Sequence, residues 1–314
     1  MKRAIAVIIS TVMAALVACA PMPPPQGGDT EATATATPVP TPVQEATPTQ
    51  ALGAALLSQP PRPDFVQRDK AVVEPYAIQT WGLPETLAVD SPQPMVATIS
   101  RDGQVLLELE EWNVNIAPET GRDLTGDGDP DAVLLSYSGG AHCCFSTHVY
   151  SLGAEMTPIF TSQPSNCGGE FEDLDGDQVA EFVTCDDSFA YAFCAFAGSP
   201  MPGVVLSYEP GQGFVPDTAS FSEMYGDAIA RHVGQVESAV QDKDARDRYP
   251  EAYKETVRCA VLGVVLDYLY TCQPGQAWSE LERLYPFDAA AEFRSEIENL
   301  LSGSPLYGCP RPSP

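Results

Sequence analysis

Apolar and polar residues alternate over short stretches between about Phe65 and Phe214, which is the pattern of β-strands with one buried face. Residues 95–100 and 105–110 alternate around the turn Arg-Asp-Gly-Gln at 101–104, and they predict a hairpin. Similar runs, separated by glycine, proline and aspartate, lie at 132–137, 144–151, 181–184, 189–196 and 204–208. Because no helical pattern intervenes, we expect an antiparallel sheet or a small stack of sheets.

Beyond the last of these runs, apolar residues recur at intervals of three and four, which is helical spacing. Three such stretches begin at Tyr225, Tyr253 and Phe293, and they predict three or four helices. The predicted fold class is therefore α+β, with an antiparallel β domain at residues 61–216 and a small all-α domain at residues 217–314.

Local signals mark the ends of these helices. Ser220, with Glu223 three residues later, predicts a capping box near the start of the first helix. Asp288 is a suitable N-cap for the last helix, and Gly303 is a suitable terminator.

The first 18 residues have the layout of an export signal. Lys2 and Arg3 precede an apolar stretch that is too short to span a bilayer comfortably. The sequence Leu-Val-Ala-Cys at 16–19 resembles the lipobox of bacterial lipoproteins, and the resemblance implies cleavage before Cys19 and acylation of its thiol. An ordinary cleaved signal with an incidental cysteine is the alternative. Since no later stretch is long and apolar enough to cross a membrane, the lipid would be the only anchor.

Residues 19–60 are rich in threonine, proline, alanine and glutamine. Such a segment buries too little apolar surface to offset the entropy of the chain, and its prolines stiffen it. We therefore expect a disordered spacer between the lipidated cysteine and the folded part.

The chain is strongly acidic, with a formal net charge of −27 at pH 7. Cleavage of the signal would remove two basic residues and no acidic ones, which makes the balance more negative. Because binding to phosphate backbones needs basic patches, this charge excludes a nucleic-acid partner.

Eight cysteines remain once Cys19 is acylated, and an even number in an exported protein predicts disulfides. The candidates are Cys143, Cys144, Cys167, Cys185, Cys194, Cys259, Cys272 and Cys309. If Cys259 and Cys272 lie on one helix, they are too far apart to bond to each other, and Cys309 is then expected to pair with one of them. Cys185 and Cys194 flank a short turn and are a possible pair across a hairpin.

Two acidic segments carry the strongest chemical signal, and they lie fifty residues apart, as an internal repeat does. The first acidic loop is residues 123–131 (DLTGDGDPD) and the second acidic loop is residues 173–181 (DLDGDQVAE), each followed by an apolar stretch. Oxygen atoms at alternate positions converge on a hard cation such as calcium when glycine lets the loop turn tightly. An acidic turn without a metal is the alternative.

An EF-hand is excluded, because its loop requires an acid at position 12, where these loops have Leu134 and Thr184. The pattern of a loop that enters a strand instead resembles the calcium loops of FG-GAP/VCBS repeats, which occur in integrin-like β-propellers and bacterial surface proteins. The resemblance implies two structural calcium ions bound by side chains, with the carbonyl groups of Asp129 and Val179 assisting. The implied side-chain ligands are Asp123, Thr125, Asp127 and Asp131 for one ion, and Asp173, Asp175, Asp177 and Glu181 for the other.

Two positions depart from this pattern. Thr125 replaces an acid or amide at position 3, which should weaken the first site. Gln178 replaces the usual glycine at position 6, so the second loop must turn on Gly176 or adopt a strained backbone. Two repeats cannot close a seven-bladed propeller, and that architecture is not expected here.

A second group of reactive residues lies at 139–148. On a strand, alternation places His142, Cys144 and His148 on one face, which is compatible with a zinc or copper site or with a nucleophilic thiol. The oxidising compartment favours instead that Cys143 and Cys144, facing opposite sides, enter two separate disulfides. His232 has apolar neighbours and is expected to be packed or half-exposed.

These observations favour a non-enzymatic lipoprotein at the extracytoplasmic face of the cell envelope, with a binding or structural role and a partner that the sequence does not identify. The sequence lacks the common motifs of serine hydrolases, zinc proteases and nucleotide-binding enzymes. Two alternatives stay open, namely a hydrolase that uses acidic residues with calcium as scaffold, and a metal-handling protein built on His142, Cys144 and His148.

Overall fold

The computed structural model describes residues 54–84, 94–140 and 143–310, and these residues contain twelve β-strands. The first sheet consists of β1 (Val66–Val73), β2 (Tyr76–Gly82), β3 (Met95–Arg101) and β4 (Gln104–Glu111). The second sheet consists of β5 (Asn113–Ile116), β6 (Asp131–Tyr137), β7 (Phe145–Leu152) and β8 (Met156–Thr161). The third sheet consists of β9 (Glu170–Glu172), β10 (Glu181–Cys185), β11 (Gly203–Glu209) and β12 (Gly213–Pro216).

Each sheet is a four-stranded antiparallel meander whose strands are neighbours in chain order. The hairpin predicted at 101–104 is confirmed, because Arg101 pairs with Gln104 where β3 turns into β4. Asp102 and Gly103 occupy this turn with φ angles of 53° and 77°, the left-handed region that asparagine, aspartate and glycine tolerate best.

The second sheet lies between the other two. Ala132 and Leu134 of β6 share a buried cluster with Ile78 and Ile99 of the first sheet. Val133, on the opposite face of the same strand, belongs to the cluster that contains the third sheet. Because successive residues of a strand face opposite sides, β6 is buried on both faces, which explains its almost continuous apolar sequence.

Five α-helices follow, and two short 3-10 helices lie at Phe196–Gly198 and Thr218–Tyr225. The α-helices are α1 (Gly226–Gln241), α2 (Lys243–Arg248), α3 (Pro250–Tyr270), α4 (Pro274–Leu284) and α5 (Ala290–Gly303). The predicted order of antiparallel sheet followed by helices is confirmed. The predicted number of three or four helices is wrong, because the six-residue α2 buries no side chain and α4 shows only a short apolar stripe.

The two predicted N-caps are wrong. Ser220 lies inside the 3-10 helix, where its hydroxyl donates to the carboxylate of Asp217 at 2.7 Å. Helix α5 begins at Ala290 without a side-chain cap, so Asp288 does not serve it. The last helix does end at Gly303, as predicted.

The strand predicted at 189–196 is also absent. This segment is made of local turns in which the amides of Ala190 and Ala192 donate to carbonyls three residues earlier. Cys194 is bonded to Cys259 of α3, so the segment is held against a helix and not in a sheet.

One buried cluster joins the third sheet to the helices, with Phe182 and Val204 on the sheet side and Val257, Leu262 and Phe293 on the helical side. All described residues fall within one unit, residues 50–314. None of the described helices has the length and hydropathy that a membrane span requires.

Candidate metal centre

The two acidic loops occupy the same place in neighbouring sheets. The first connects β5 to β6, and the second connects β9 to β10, so each joins the first strand of its sheet to the second. Each loop ends on the first residue of a strand, which is Asp131 in β6 and Glu181 in β10. The predicted transition from loop to strand is therefore confirmed.

In the first acidic loop, the carboxylate of Asp123 organises the turn. Its Oδ1 accepts the amide of Gly126 at 2.7 Å, and its Oδ2 accepts the amide of Gly128 at 2.9 Å. Further along, Asp127 Oδ1 accepts the amide of Asp129 at 2.9 Å. Backbone amides of the loop therefore converge on the carboxylates of Asp123 and Asp127.

The second acidic loop repeats this hydrogen-bonding pattern position by position. Asp173 Oδ1 accepts the amide of Gly176 at 2.7 Å, and its Oδ2 accepts the amide of Gln178 at 3.1 Å. Asp177 Oδ1 accepts the amide of Val179 at 2.7 Å. The two loops thus share one local hydrogen-bonding pattern.

Positions 4 and 6 of both loops have positive φ angles. They are 73° and 92° at Gly126 and Gly128, and 83° and 77° at Gly176 and Gln178. The second loop therefore both turns on Gly176 and holds Gln178 in a left-handed conformation that is unfavourable for a residue with a Cβ.

The last acid of each loop is buried and holds the loop against its strand. Asp131 is fully buried, and its Oδ2 accepts the amide of Leu124 at 2.8 Å. Glu181 is 3% exposed, and its Oε2 accepts the amide of Leu174 at 2.8 Å. In both loops, therefore, the backbone amide at position 2 donates to the carboxylate at position 9.

The electrostatics of the loops favour a bound cation. Burial, followed by the charges of Asp127, Asp123 and Asp129, raises the pKa of Asp131 to about 7. Burial also raises the pKa of Glu181. Among the described residues, no lysine or arginine forms an ion pair with either loop.

Two oxygen atoms of the first loop are buried without a hydrogen-bond partner, Thr125 Oγ1 and Asp131 Oδ1. Buried polar atoms are nearly always paired, so two such oxygens beside several carboxylates are suited to ligate a cation. In the second loop, carboxylate oxygens of Asp173, Asp175 and Asp177 lie within 4.8 Å of one another. The donor set is made entirely of oxygen atoms, which suits calcium.

The eight cysteines within the described residues form four disulfides, a number typical of proteins that fold outside the cytoplasm. The pairs are Cys143–Cys144, Cys167–Cys185, Cys194–Cys259 and Cys272–Cys309. The expected pairing of Cys309 with Cys259 or Cys272 is confirmed.

Two expected disulfide arrangements are wrong. Cys185 does not pair with Cys194, because the segment around Cys194 is not the second strand of a hairpin. Cys143 and Cys144 bond to each other and not to two other cysteines. They precede the first residue of β7, Phe145, so the alternation of a strand does not separate their side chains.

The group at 142–148 does not gather a metal site within the described residues. His142 lies outside them, and the sulfur of Cys144 is bonded to Cys143. His148 is buried between hydroxyls, with Nε2 at 2.9 Å from Ser136 Oγ and Nδ1 at 3.4 Å from Thr161 Oγ1. Burial lowers the pKa of His148, which favours the neutral ring. Cys19 also lies outside the described residues.

The structure adds a site that the sequence did not reveal. His232 on α1 lines a cavity of about 590 Å³, and its Nδ1 is 2.6 Å from Oδ2 of Asp267 on α3. Asp267 is 2% exposed and follows the apolar run at 260–266 of α3. A lone acid within the apolar run of α3 was the available signal, but its partner lies 35 residues away.

Comparisons with known proteins give limited similarity. A Synechocystis protein described as "Probable thylakoid lumen protein" is 33% identical over 114 residues, which cover 34% of this chain and 32% of that protein. An uncharacterized protein of Sinorhizobium fredii is 31% identical over 78 residues, which cover 24% of this chain and 12% of that protein. The chain thus spans about a third or less of the relatives it matches. No family model and no solved structure matches it.

Proposed function

We propose that this chain is an exported lipoprotein whose β region is stabilised by two calcium ions, and that it has a non-enzymatic binding or structural role at the cell envelope. The observation that carries the calcium assignment is the pair of buried, unpartnered oxygens of Thr125 and Asp131. A cation that both oxygens ligate would give each a partner and would neutralise the acids of the loop.

The ligand assignment follows the repeated positions of the two acidic loops. The first ion would be held by side chains of Asp123, Thr125, Asp127 and Asp131 and by the carbonyl of Asp129. The second would be held by side chains of Asp173, Asp175, Asp177 and Glu181 and by the carbonyl of Val179. The matching hydrogen bonds of the loops support this assignment, as does their resemblance to FG-GAP/VCBS loops.

Calcium would act as a structural group at these places. Each loop ends at the start of a central strand of its sheet, so an ion fixes the entry of that strand. A ligand that binds only the folded state raises the free energy of unfolding by mass action. The proposed role of the ions is therefore to stabilise the fold of a protein that binds a partner.

A thermal melt with and without calcium tests this proposal. The chain is stripped with EDTA and compared with the same sample after calcium is returned in excess, with magnesium as the control ion. We expect calcium to raise the midpoint and magnesium to do so much less, because magnesium requires stricter geometry. An unchanged midpoint in calcium would refute the assignment.

The export and anchoring part of the proposal rests on separate observations. Four disulfides and the similarity to a protein described as lumenal support an extracytoplasmic location. The lipobox-like sequence at 16–19 supports acylation of Cys19. Replacement Cys19→Ala should release the protein from membranes, whereas continued membrane retention would contradict the lipid anchor.

A second candidate function is an extracytoplasmic hydrolase, and the His232–Asp267 pair favours it. A buried acid that orients a histidine toward a cavity is an arrangement that general bases use. His232→Gln would abolish hydrolysis of a model ester if this candidate is correct. Hydrolysis equal to that of the unaltered protein would dismiss it.

A further inference from the structure

We propose that the two acidic loops bind calcium cooperatively, so that an ion in the second loop raises the affinity of the first loop through the hydrogen bond between Ala180 and Leu124. The inference rests on the proposed calcium function and adds a regulation of the same sites. Its physical basis is direct contact between the backbones of the loops.

The hydrogen bond joins the interior of one loop to the interior of the other. The amide of Ala180 donates to the carbonyl oxygen of Leu124 at 2.9 Å. Leu124 lies between the implied ligands Asp123 and Thr125, and its own amide donates to Asp131. Since both sides of this buried residue are hydrogen-bonded, its position depends on both loops.

The donor side of this bond is likewise flanked by implied ligands, here those of the second ion. Ala180 lies between Val179, whose carbonyl is an implied ligand, and Glu181, whose carboxylate is another. Ligation by these two neighbours would fix the direction of the Ala180 amide. A fixed amide then holds Leu124, and with it the two ligands that flank Leu124 in the first loop.

Side-chain packing adds to the backbone contact. A Cβ atom on Gly126 would lie only 2.9 Å from Cγ2 of Val179, so the two loops touch without room for an added methyl group. Packed interfaces of this kind transmit displacement because they have no free volume to absorb it.

The order of filling follows from the ligand sets. The second loop has four carboxylates at its implied side-chain positions, whereas the first has three carboxylates and the hydroxyl of Thr125. Greater ligand charge gives greater calcium affinity. The second loop therefore fills first and organises the weaker site.

Electrostatics opposes this cooperativity, because a first ion reduces the negative potential that attracts the next. That opposition weakens with salt, whereas the hydrogen bond and the packing do not. We therefore specify titrations in about 0.3 M KCl, where the Debye length is about 6 Å.

Calorimetric calcium titration of the full disulfide-bonded chain tests the coupling. Asp131→Asn disables the first site and leaves the second intact, and Glu181→Gln does the reverse. The side-chain amide introduced in each variant can still accept the backbone hydrogen bond that the acid accepts. The product of the two association constants of the unaltered protein is compared with the product of the two single-site constants. We expect the former to be about tenfold larger.

A pair of substitutions at position 180 assigns the coupling to the hydrogen bond. Ala180→Pro removes the amide hydrogen and should reduce the ratio of these two products to about one. Ala180→Gly keeps the amide hydrogen and should leave the ratio unchanged. If the proline variant does not fold, the comparison of the two single-site variants with the unaltered protein still decides whether the two sites are coupled.

The outcomes separate the coupling from the proposed function. A ratio of one in the unaltered protein, with two calcium ions bound, overturns the coupling and leaves the calcium sites in place. A ratio that persists in a folded Ala180→Pro variant overturns the assignment to this hydrogen bond. Absence of calcium binding overturns the proposed function itself.

Discussion

The phenol of Tyr270 donates a hydrogen bond to the buried carboxylate of Asp186, and this bond joins the last turn of α3 to the segment that follows β10. The same carboxylate accepts the hydroxyl of Ser304 and the amide of Ser188. Asp186 is 2% exposed, so these bonds replace the water that the carboxylate loses on folding. The burial that these contacts create raises the pKa of Tyr270 and keeps its hydroxyl protonated as a donor.

Tyr270→Phe should therefore destabilise the protein, because the substitution removes a donor from a buried charge. We expect a loss of about 2 kcal/mol in the free energy of unfolding, measured by urea denaturation. Tyr268→Phe on the same helix is the matched control, and it should change the free energy little. Equal losses for the two variants would show that the phenol of Tyr270 has no special role.

Asp131→Asn should have effects of opposite sign with and without calcium. In EDTA the variant should be more stable than the unaltered protein, since it removes a buried charge that faces Asp123, Asp127 and Asp129. In calcium it should be less stable, since the ion loses a charged ligand. We expect about 1–3 kcal/mol in each direction from urea denaturation.

The substitution Glu108→Gln removes the same formal charge from an exposed position of β4, in the sheet that carries neither acidic loop, and is the control for net charge. It should give the same small change in both conditions. A change of the same sign for Asp131→Asn in EDTA and in calcium would argue against a cation beside this carboxylate.

Gln178→Gly should stabilise the chain. Gln178 has a φ of 77°, where a side chain costs about 1–2 kcal/mol, and the greater freedom of glycine in the unfolded chain offsets part of the gain. We expect a net increase of about 0.5–1 kcal/mol in the free energy of unfolding. The reverse test is Gly128→Ala at the matching position of the first loop. This substitution should lower the free energy of unfolding. A loss at both positions would contradict the strain assigned to Gln178.

His148 should make stability depend on pH in a defined direction. Burial lowers its pKa in the folded state below the ordinary value of 6.5, so the unfolded chain binds a proton that the folded chain does not. The free energy of unfolding should therefore fall as the pH decreases from about 6.5 toward the lowered pKa. For the His148→Gln variant, the free energy of unfolding measured by urea denaturation should fall less over this pH interval. Parallel falls for the two proteins would assign the pH dependence to other groups.

The features that the sequence predicts well are those set by neighbouring residues. The turn at Asp102 and Gly103 is local, and so is the curl of each acidic loop around its first aspartate. The apolar residues after Asp131 and Glu181 mark strands because both lie in the interior of a sheet.

The features that escape the sequence depend on partners far along the chain. Apolar and aromatic residues at 189–196 suggest a strand, but the bond between Cys194 and Cys259 holds this segment against α3. The pairing of Asp267 with His232 requires the packing of α1 on α3, which periodicity does not specify. The order of the three sheets likewise follows from which face of β6 meets which neighbour.

The central claim is that each acidic loop binds one calcium ion, and anomalous diffraction from crystals grown in calcium tests it most directly. The account predicts two anomalous peaks, one among Asp123, Thr125, Asp127 and Asp131, and one among Asp173, Asp175, Asp177 and Glu181. Each peak should lie about 2.3–2.6 Å from its ligand oxygens. Well-ordered loops without a peak in either place would contradict the account.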